Sequence, residues 1–121
     1  MISTKPHHTF GLNASAKALT TISKPNELVK LASKTKDRDF ILLGEGSNCV
    51  FLEDFNGDLV KLAFFGKEVL ESEHSYVVSV AASENWHDFV NWCLRQGIYG
   101  LENLALIPGT VGAAPIQNIG A

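Results

Sequence analysis

The carboxyl-terminal segment, residues 100–121, constrains the fold of this chain more than any other part. It is apolar, rich in small residues and almost free of charge, yet it has neither the period of a helix nor that of a strand. Its glycines allow positive φ angles and a close approach of the backbone to a ligand, and its prolines stiffen it and remove donors. These residues are Gly109, Gly112 and Gly120, with Pro108 and Pro115.

Such a segment suits a planar ligand with a hydrogen-bonding edge, because apolar groups can sandwich the ring while backbone N–H groups meet its edge. The alternative is a compact loop that fills a gap between two lobes. That alternative accounts for the prolines and isoleucines, but it accounts poorly for the three glycines and Asn118, which interrupt so apolar a segment. The chain stops inside the segment, which predicts a truncation, since domains normally end in exposed polar linkers.

Composition excludes several classes of protein. The 121 residues suffice for one domain with a core. The net charge of -3 argues against nucleic acid and against an anionic membrane surface, and the chain has neither a signal peptide nor the roughly 20 apolar residues that span a bilayer. Cys49 and Cys93 have no metal or disulfide spacing, so we expect reduced core thiols and a cytoplasmic protein.

The first half of the chain predicts a βαββ unit. A short strand at 19–22 precedes a helix that starts near Ser23, a candidate cap, with Pro25 in its first turn. A buried strand at 40–43 and a turn at 44–48 follow. The strand pattern resumes at 49–52, and Asn56-Gly57 is typical of a type I′ hairpin turn before a returning strand at 59–62.

The second half predicts two strands and an amphipathic helix. The strands lie at 69–70 and 76–80, and the helix at 85–96 ends before Gly97, which suits a left-handed cap. One helix face carries Trp86, Phe89, Val90, Cys93 and Leu94. A composition shift near 64–67 divides this α+β fold into lobes 1–66 and 67–121.

The turn at 44–48 is a candidate phosphate site, because successive backbone N–H groups in a glycine turn form a concave nest for anions. Its residues are Gly44, Glu45, Gly46, Ser47 and Asn48. It lacks the lysine of a Walker loop and the helix-opening glycine of a Rossmann fingerprint, so it predicts neither fold. A tight hairpin that binds no ligand is the alternative.

The titratable residues do not predict a catalytic centre. His7 and His8 lie in a polar start and are expected in solvent, and His87 falls on the polar side of its helix. The acidic residues Asp37, Asp39, Glu53, Asp54 and Asp58 are interpreted as solvated turn and edge charges. No general acid or base, nucleophile or metal cluster emerges from the spacing.

Four motifs together resemble the UDP-N-acetylenolpyruvoylglucosamine reductase (MurB) family, in its Gram-negative type. They are Thr9-Phe10-Gly11, Leu43-Gly44-Glu45-Gly46-Ser47-Asn48, Ser83-Glu84-Asn85-Trp86 and the run from Gly100 to Ala121. The likeness covers nearly the whole chain in order, and it is closest over residues 104–121. Cys49 and Ser83 depart from the residues usual in the family.

The resemblance implies an FAD-binding domain of the PCMH or vanillyl-alcohol-oxidase type, followed in the family by a substrate domain that is absent here. It implies an oxidoreductase that uses FAD and NADPH to reduce UDP-N-acetylenolpyruvoylglucosamine for peptidoglycan synthesis, and hence for cell shape and division. The turn 44–48 would hold the FAD diphosphate. The flavin side would be lined by Ile107, Pro108, Gly109, Gly112, Ala113, Pro115, Asn118, Ile119 and Gly120.

The family's catalytic residues have no counterpart in these 121 residues, so no catalytic residue is assigned and the chain alone is expected to be inactive. The UDP-sugar is expected to bind only the full-length protein. The alternative function is a stand-alone flavin- or nucleotide-binding module without catalysis. A third possibility is a fragment that binds no ligand or pairs with a second copy through open sheet edges.

Overall fold

Two separate sheets, of four and two strands, organise the computed structural model, which describes residues 1–33, 38–117 and 119. The chain forms two compact units, Met1–Ala63 and Phe64–Ala121, with one sheet in each. The mixture of helices and strands confirms the α+β class.

The first unit contains a mixed four-stranded sheet in the order β1-β2-β4-β3. The strands are β1 (Ile2–Ser3), β2 (Ser15–Ile22), β3 (Phe40–Leu42) and β4 (Phe55–Leu62). Both β2 and β3 run parallel to β4, and only β1 is antiparallel to its neighbour. Ala16, Leu43 and Leu59 belong to the buried cluster of this unit.

The predicted hairpin at Asn56-Gly57 is wrong, and so is the predicted strand at 49–52. Asn56 and Gly57 lie inside β4, and the segment 43–54 is a crossover between the parallel strands β3 and β4. Parallel neighbours require such a long connection, whereas a two-residue turn joins only antiparallel strands. A Cβ on Gly57 would meet the backbone oxygen of Asp39, so this glycine serves the close approach of a neighbouring segment.

Helix α1 (Pro25–Ser33) begins where the sequence predicts, with proline in its first turn. Its amino terminus is satisfied by Glu27 and not by the predicted cap, Ser23. The Glu27 carboxylate accepts hydrogen bonds from the backbone N–H groups of Ser23 and Lys24, at 3.0 and 3.1 Å. This is the reach-back bond of a capping box.

The second unit packs helix α2 (Trp86–Arg95) with the antiparallel pair β5 (Lys67–Glu71) and β6 (Tyr76–Val80). The predicted helix is confirmed, since Asn85 caps it by accepting a bond from the Asp88 N–H at 3.0 Å and Gly97 follows it with a φ of 73°. Its apolar face supplies the buried residues Trp86, Phe89, Val90 and Cys93. Burial raises the pKa of the Cys93 thiol, as expected for a core cysteine.

An ion pair ties the start of β5 to the segment before α2. Lys67 Nζ lies 2.6 Å from Glu84 Oε2, and the Gly66 N–H donates to Glu84 Oε1 at 2.8 Å. The bond from Lys67 and then the bond from Gly66 hold the pKa of Glu84 below its ordinary value. Both favour the charged carboxylate, so Glu84 stabilises this unit while it is ionised.

This pairing predicts how stability depends on pH. Because the pKa of Glu84 is lower in the folded than in the unfolded chain, its contribution is complete above the unfolded value of about 4.3 and is lost as the pH falls through the folded value. We expect the melting temperature of the wild type to fall more steeply between about pH 5 and about pH 3 than that of Glu84→Gln. Glu73→Gln removes a carboxylate that is 94% exposed and should leave the wild-type slope unchanged. Parallel curves for wild type and Glu84→Gln would contradict this assignment.

Candidate functional site

The glycine turn 44–48 lies directly beyond the carboxyl end of β3. The Leu43 N–H, at the entrance to the turn, donates to the Val60 carbonyl of β4 at 2.8 Å. Because β2, β3 and β4 run parallel, their carboxyl ends face the same edge of the sheet. Ligands of open α/β sheets bind at such edges. The turn opens a crossover between parallel strands, so the alternative of a tight hairpin is excluded.

Residues 7–9 lie against this turn and fix its backbone. The Thr9 N–H donates to the Gly46 carbonyl at 3.1 Å. Gly46 has a φ of 71°, and a Cβ there would meet the His7 carbonyl oxygen and lie 2.8 Å from His8 Cα. Two features therefore require glycine at position 46: the left-handed backbone conformation, and the contact with the backbone of His7 and His8. A left-handed glycine in such a turn is the geometry from which anion-binding nests are built.

The expectation that His7 and His8 are solvated is wrong. His8 is buried, with its ring edge-on to Phe51 at 5.2 Å and its Nε2 3.3 Å from the Leu12 carbonyl. His7 is half-buried, and burial, Lys61 and His8 lower its pKa in that order. The sequence gives no sign of this, because the segment is covered by residues far away along the chain.

In the second unit, main-chain bonds connect the segment 82–86 to the loop 109–112. The Trp86 N–H donates to the Gly109 carbonyl at 2.9 Å, and the Val111 N–H donates to the Glu84 carbonyl at 2.8 Å. The Gly112 N–H donates to the Ala82 carbonyl at 2.9 Å. Gly112 lies so close to this strand-like segment that a Cβ would be 2.8 Å from that of Ala82. Two motifs that the sequence singles out separately thus form one structure.

The first turn of α2 holds the preceding part of the loop through two side chains. Trp86 Nε1 donates to the Leu104 carbonyl at 2.8 Å, and the Leu106 N–H donates to His87 Nδ1 at 3.0 Å. His87 is therefore half-buried and engaged, and its predicted place in solvent is wrong. Asn91 Nδ2 lies 2.9 Å from His87 Nε2. Because Nδ1 accepts, Nε2 carries the proton, so the Asn91 amide is assigned with its oxygen toward the ring, where it accepts that proton.

Leu106 has an unusual backbone conformation. Its φ is 64°, in the left-handed region that non-glycine residues rarely adopt, while its side chain is 81% exposed. The bond to His87 accounts for the direction of its N–H, but no burial of the side chain offsets the strain. Residues held in this way cluster at ligand sites.

The predicted flavin-side residues divide into exposed and packed groups. Pro108, Gly112 and Pro115 are exposed, and Gly109 is buried with a φ of 116°. The Gln117 side chain donates to the Pro108 carbonyl at 2.8 Å. Ile107 and Ile119 pack against the α2 core, and Ala113 is half-buried. Asn118 and Gly120 lie outside the described residues.

Other polar features give no second site. Asp58 is buried on β4 and paired with Arg38 at 3.1 Å, so its assignment to solvent is wrong. Asp54 accepts the Ser15 N–H at 2.7 Å, and Asp37 lies outside the described residues. Among the residues that the structure describes, no group of His, Cys, Asp and Glu could hold a metal ion, and no helix could cross a membrane.

Comparison with known proteins identifies the family. The model of a family described as FAD binding domain matches residues 17–121. The chain belongs to this FAD-binding domain family.

The resemblance to the UDP-N-acetylenolpyruvoylglucosamine reductases is also confirmed. The chain is 51% identical over 114 residues to the enzyme of that name from Pseudoalteromonas translucida (strain TAC 125), covering 94% of this chain and 33% of the relative. Identity to the enzyme of Shewanella sediminis (strain HAW-EB3) is 45%, covering 98% of this chain and 35% of the relative. Identity to the enzyme of Paraburkholderia phymatum (strain DSM 17167 / CIP 108236 / LMG 21445 / STM815) is 47%, covering 97% of this chain and 35% of the relative. The chain thus spans about a third of the length of these curated relatives.

The glycine requirement in this FAD-binding domain can be tested by two matched substitutions. Gly11 has a φ of 61° with nothing near its Cβ position, so Gly11→Ala should cost only the left-handed penalty of about 1–2 kcal/mol. Gly46→Ala adds a backbone clash and should destabilise by about 1–3 kcal/mol more. Urea unfolding measures both free energies. Equal losses would show that residues 7–9 do not press on the turn.

The strain at Leu106 gives a second prediction. Leu106→Gly removes a penalty of about 1–2 kcal/mol and adds an entropic cost of about 0.5–1 kcal/mol from the freer unfolded chain, so the free energy of unfolding should hold or rise by up to about 1.5 kcal/mol. Leu106→Ala keeps the strain and removes an exposed side chain, so it should stay within about 0.5 kcal/mol of the wild type. Denaturant titration compares the two. A loss of stability confined to Leu106→Gly would contradict a left-handed Leu106.

Proposed function

We propose that this chain is the FAD-binding portion of a UDP-N-acetylmuramate dehydrogenase, the NADPH-dependent reductase of UDP-N-acetylenolpyruvoylglucosamine in peptidoglycan synthesis. The observation that carries the proposal is the conformation of the glycine turn, fixed by residues 7–9 at the carboxyl edge of parallel strands, in a chain of the FAD-binding domain family. The names of the longer relatives supply the reaction.

In this proposal the turn 44–48 binds the diphosphate of FAD. Gly46 lets the backbone form a concave turn, and Ser47 and Asn48 add side chains that can donate to phosphate oxygens. Asn48 is exposed, as a ligand contact requires. The residues present therefore fit an anionic group.

The loop 107–120 contacts the flavin side. Its bonds to the segment 82–86 hold the backbone ready before the ligand arrives, which lowers the entropic cost of binding. Pro108, Gly112 and Pro115 offer exposed, uncharged surface suited to a planar ring. We place the two lobes of the PCMH-type domain at 1–66 and 67–121.

Bound FAD would supply the hydride-carrying chemistry, with NADPH as the reductant. This chain's own residues bind and orient the cofactor, and no proton donor or substrate-binding residue is assigned among them. The UDP-sugar therefore belongs to the remainder of the longer enzyme, in the cytoplasm where its nucleotide substrates are found. The 121-residue chain alone should not oxidise NADPH in the presence of the enolpyruvyl substrate.

Titration with FAD, followed by flavin fluorescence, tests the binding proposal. We expect weak but saturable binding that ADP, the diphosphate half of FAD, displaces. Asn48→Asp places a negative charge in the turn and should weaken FAD binding at least about tenfold. Asn26→Asp makes the same change on the exposed surface of α1 and should bind FAD as the wild type does.

The outcomes separate the candidate functions. Absence of saturable FAD binding by the folded chain, or equal binding by the two aspartate variants, would overturn the assignment of the turn. NADPH oxidation by the chain alone would overturn its inactivity. Tight FAD binding by the chain would instead favour the stand-alone flavin-binding module.

A further inference from the structure

Three cationic or titratable side chains gather beside the glycine turn, and the proposed diphosphate contacts do not use them. His7 and His8 belong to the segment that presses on Gly46. Lys61 follows Val60 on β4, and Val60 is the residue whose carbonyl receives the Leu43 N–H at the entrance to the turn. These groups come from two distant parts of the chain, and the parallel sheet brings them to one edge.

Lys61 forms no salt bridge with any residue that the structure describes, in contrast to Lys67 and Arg38, which are paired with carboxylates. Burial chiefly, and the charges of Lys61 and His8 in addition, lower the pKa of His7. His8 is buried, and its Nδ1 has no hydrogen-bond partner within the part of the chain that the structure describes. Positive charge at this edge is disfavoured by like-charged neighbours and favoured by a bound anion.

We propose that Lys61 and His7 form a cationic rim to the glycine turn and supply the counter-charge for the diphosphate of a bound dinucleotide. The proposal rests on the proposed function and names residues that lie outside the four sequence motifs that carry the family resemblance. Backbone N–H groups orient phosphate oxygens by hydrogen bonds, whereas Lys61 contributes a full charge. His7 lies against Gly46 of the turn, and an anion bound there favours the protonated imidazole by direct attraction.

Substitution of Lys61 tests the charge. Lys61→Met should weaken binding of FAD and of ADP by about tenfold, the size of one charge-assisted bond. Lys17→Met is the matched control. Lys17 lies in the same sheet but near the amino-terminal end of β2, whereas Lys61 lies beside the carboxyl-terminal end of that strand. Lys61→Arg keeps the charge and should restore most of the affinity. Riboflavin, which has no phosphate, should bind all four proteins alike, and added salt should weaken FAD binding less in Lys61→Met than in wild type.

The pH dependence tests His7. The diphosphate of FAD is a diester and keeps its charge from about pH 5.5 to about pH 8, so a change in affinity over this range comes from the protein. Wild-type affinity for FAD should rise as the pH falls, and His7→Gln should flatten this dependence. Lys61 on β4 and His8 are the charged and titratable groups that act on His7, and both stay in His7→Gln, as does Glu45 of the turn.

The results distinguish this inference from the proposed function. If wild type binds FAD and Lys61→Met matches Lys17→Met, the cationic rim is wrong and the FAD site stands. If wild type binds ADP through Lys61 but not FAD, the rim stands and the flavin assignment fails. If neither ligand binds the folded chain, both are overturned.

Discussion

The main-chain bonds between segments 82–86 and 109–112 are the constraint on which the second unit depends. A loop so rich in glycine and proline has few side chains with which to hold one conformation, and each glycine adds freedom to the unfolded chain. The bonds to Ala82, Glu84 and Trp86 compensate by giving the loop a rigid partner. That partner is itself secured by α2 on one side and by the Lys67–Glu84 ion pair on the other.

In the first unit, the glycine turn 44–48 is held at an edge formed by the parallel strands β2, β3 and β4. This turn is shaped by what lies against it, because the backbone of residues 7–9 leaves no room for a Cβ on Gly46. The same edge carries the carboxyl ends of β2, β3 and β4, so backbone groups and cationic side chains can converge there without a helix. A turn built this way requires the amino-terminal segment, whose sequence alone resembles that of a solvated tail.

Local patterns predicted those elements whose structure depends on neighbours along the chain. The apolar period of α2, its Asn85 cap and the Gly97 that follows it all predicted the helix. The predicted strand at 76–80 has the same bounds as β6. Asn56-Gly57 misled because the signal for a hairpin turn is local, whereas β4 is fixed by two parallel neighbours and by the approach of Asp39. The roles of His8 and His87 could not be predicted, since each is defined by a contact with a loop whose path only the folded structure reveals.

NMR mapping of backbone amide shifts on addition of ligands tests most directly whether the glycine turn 44–48 and the loop 109–113 each bind part of a flavin dinucleotide. The account predicts that ADP shifts the amides of the turn and that riboflavin shifts those of the loop. Shifts confined to other surfaces, such as α1 or the β5–β6 pair, would contradict it.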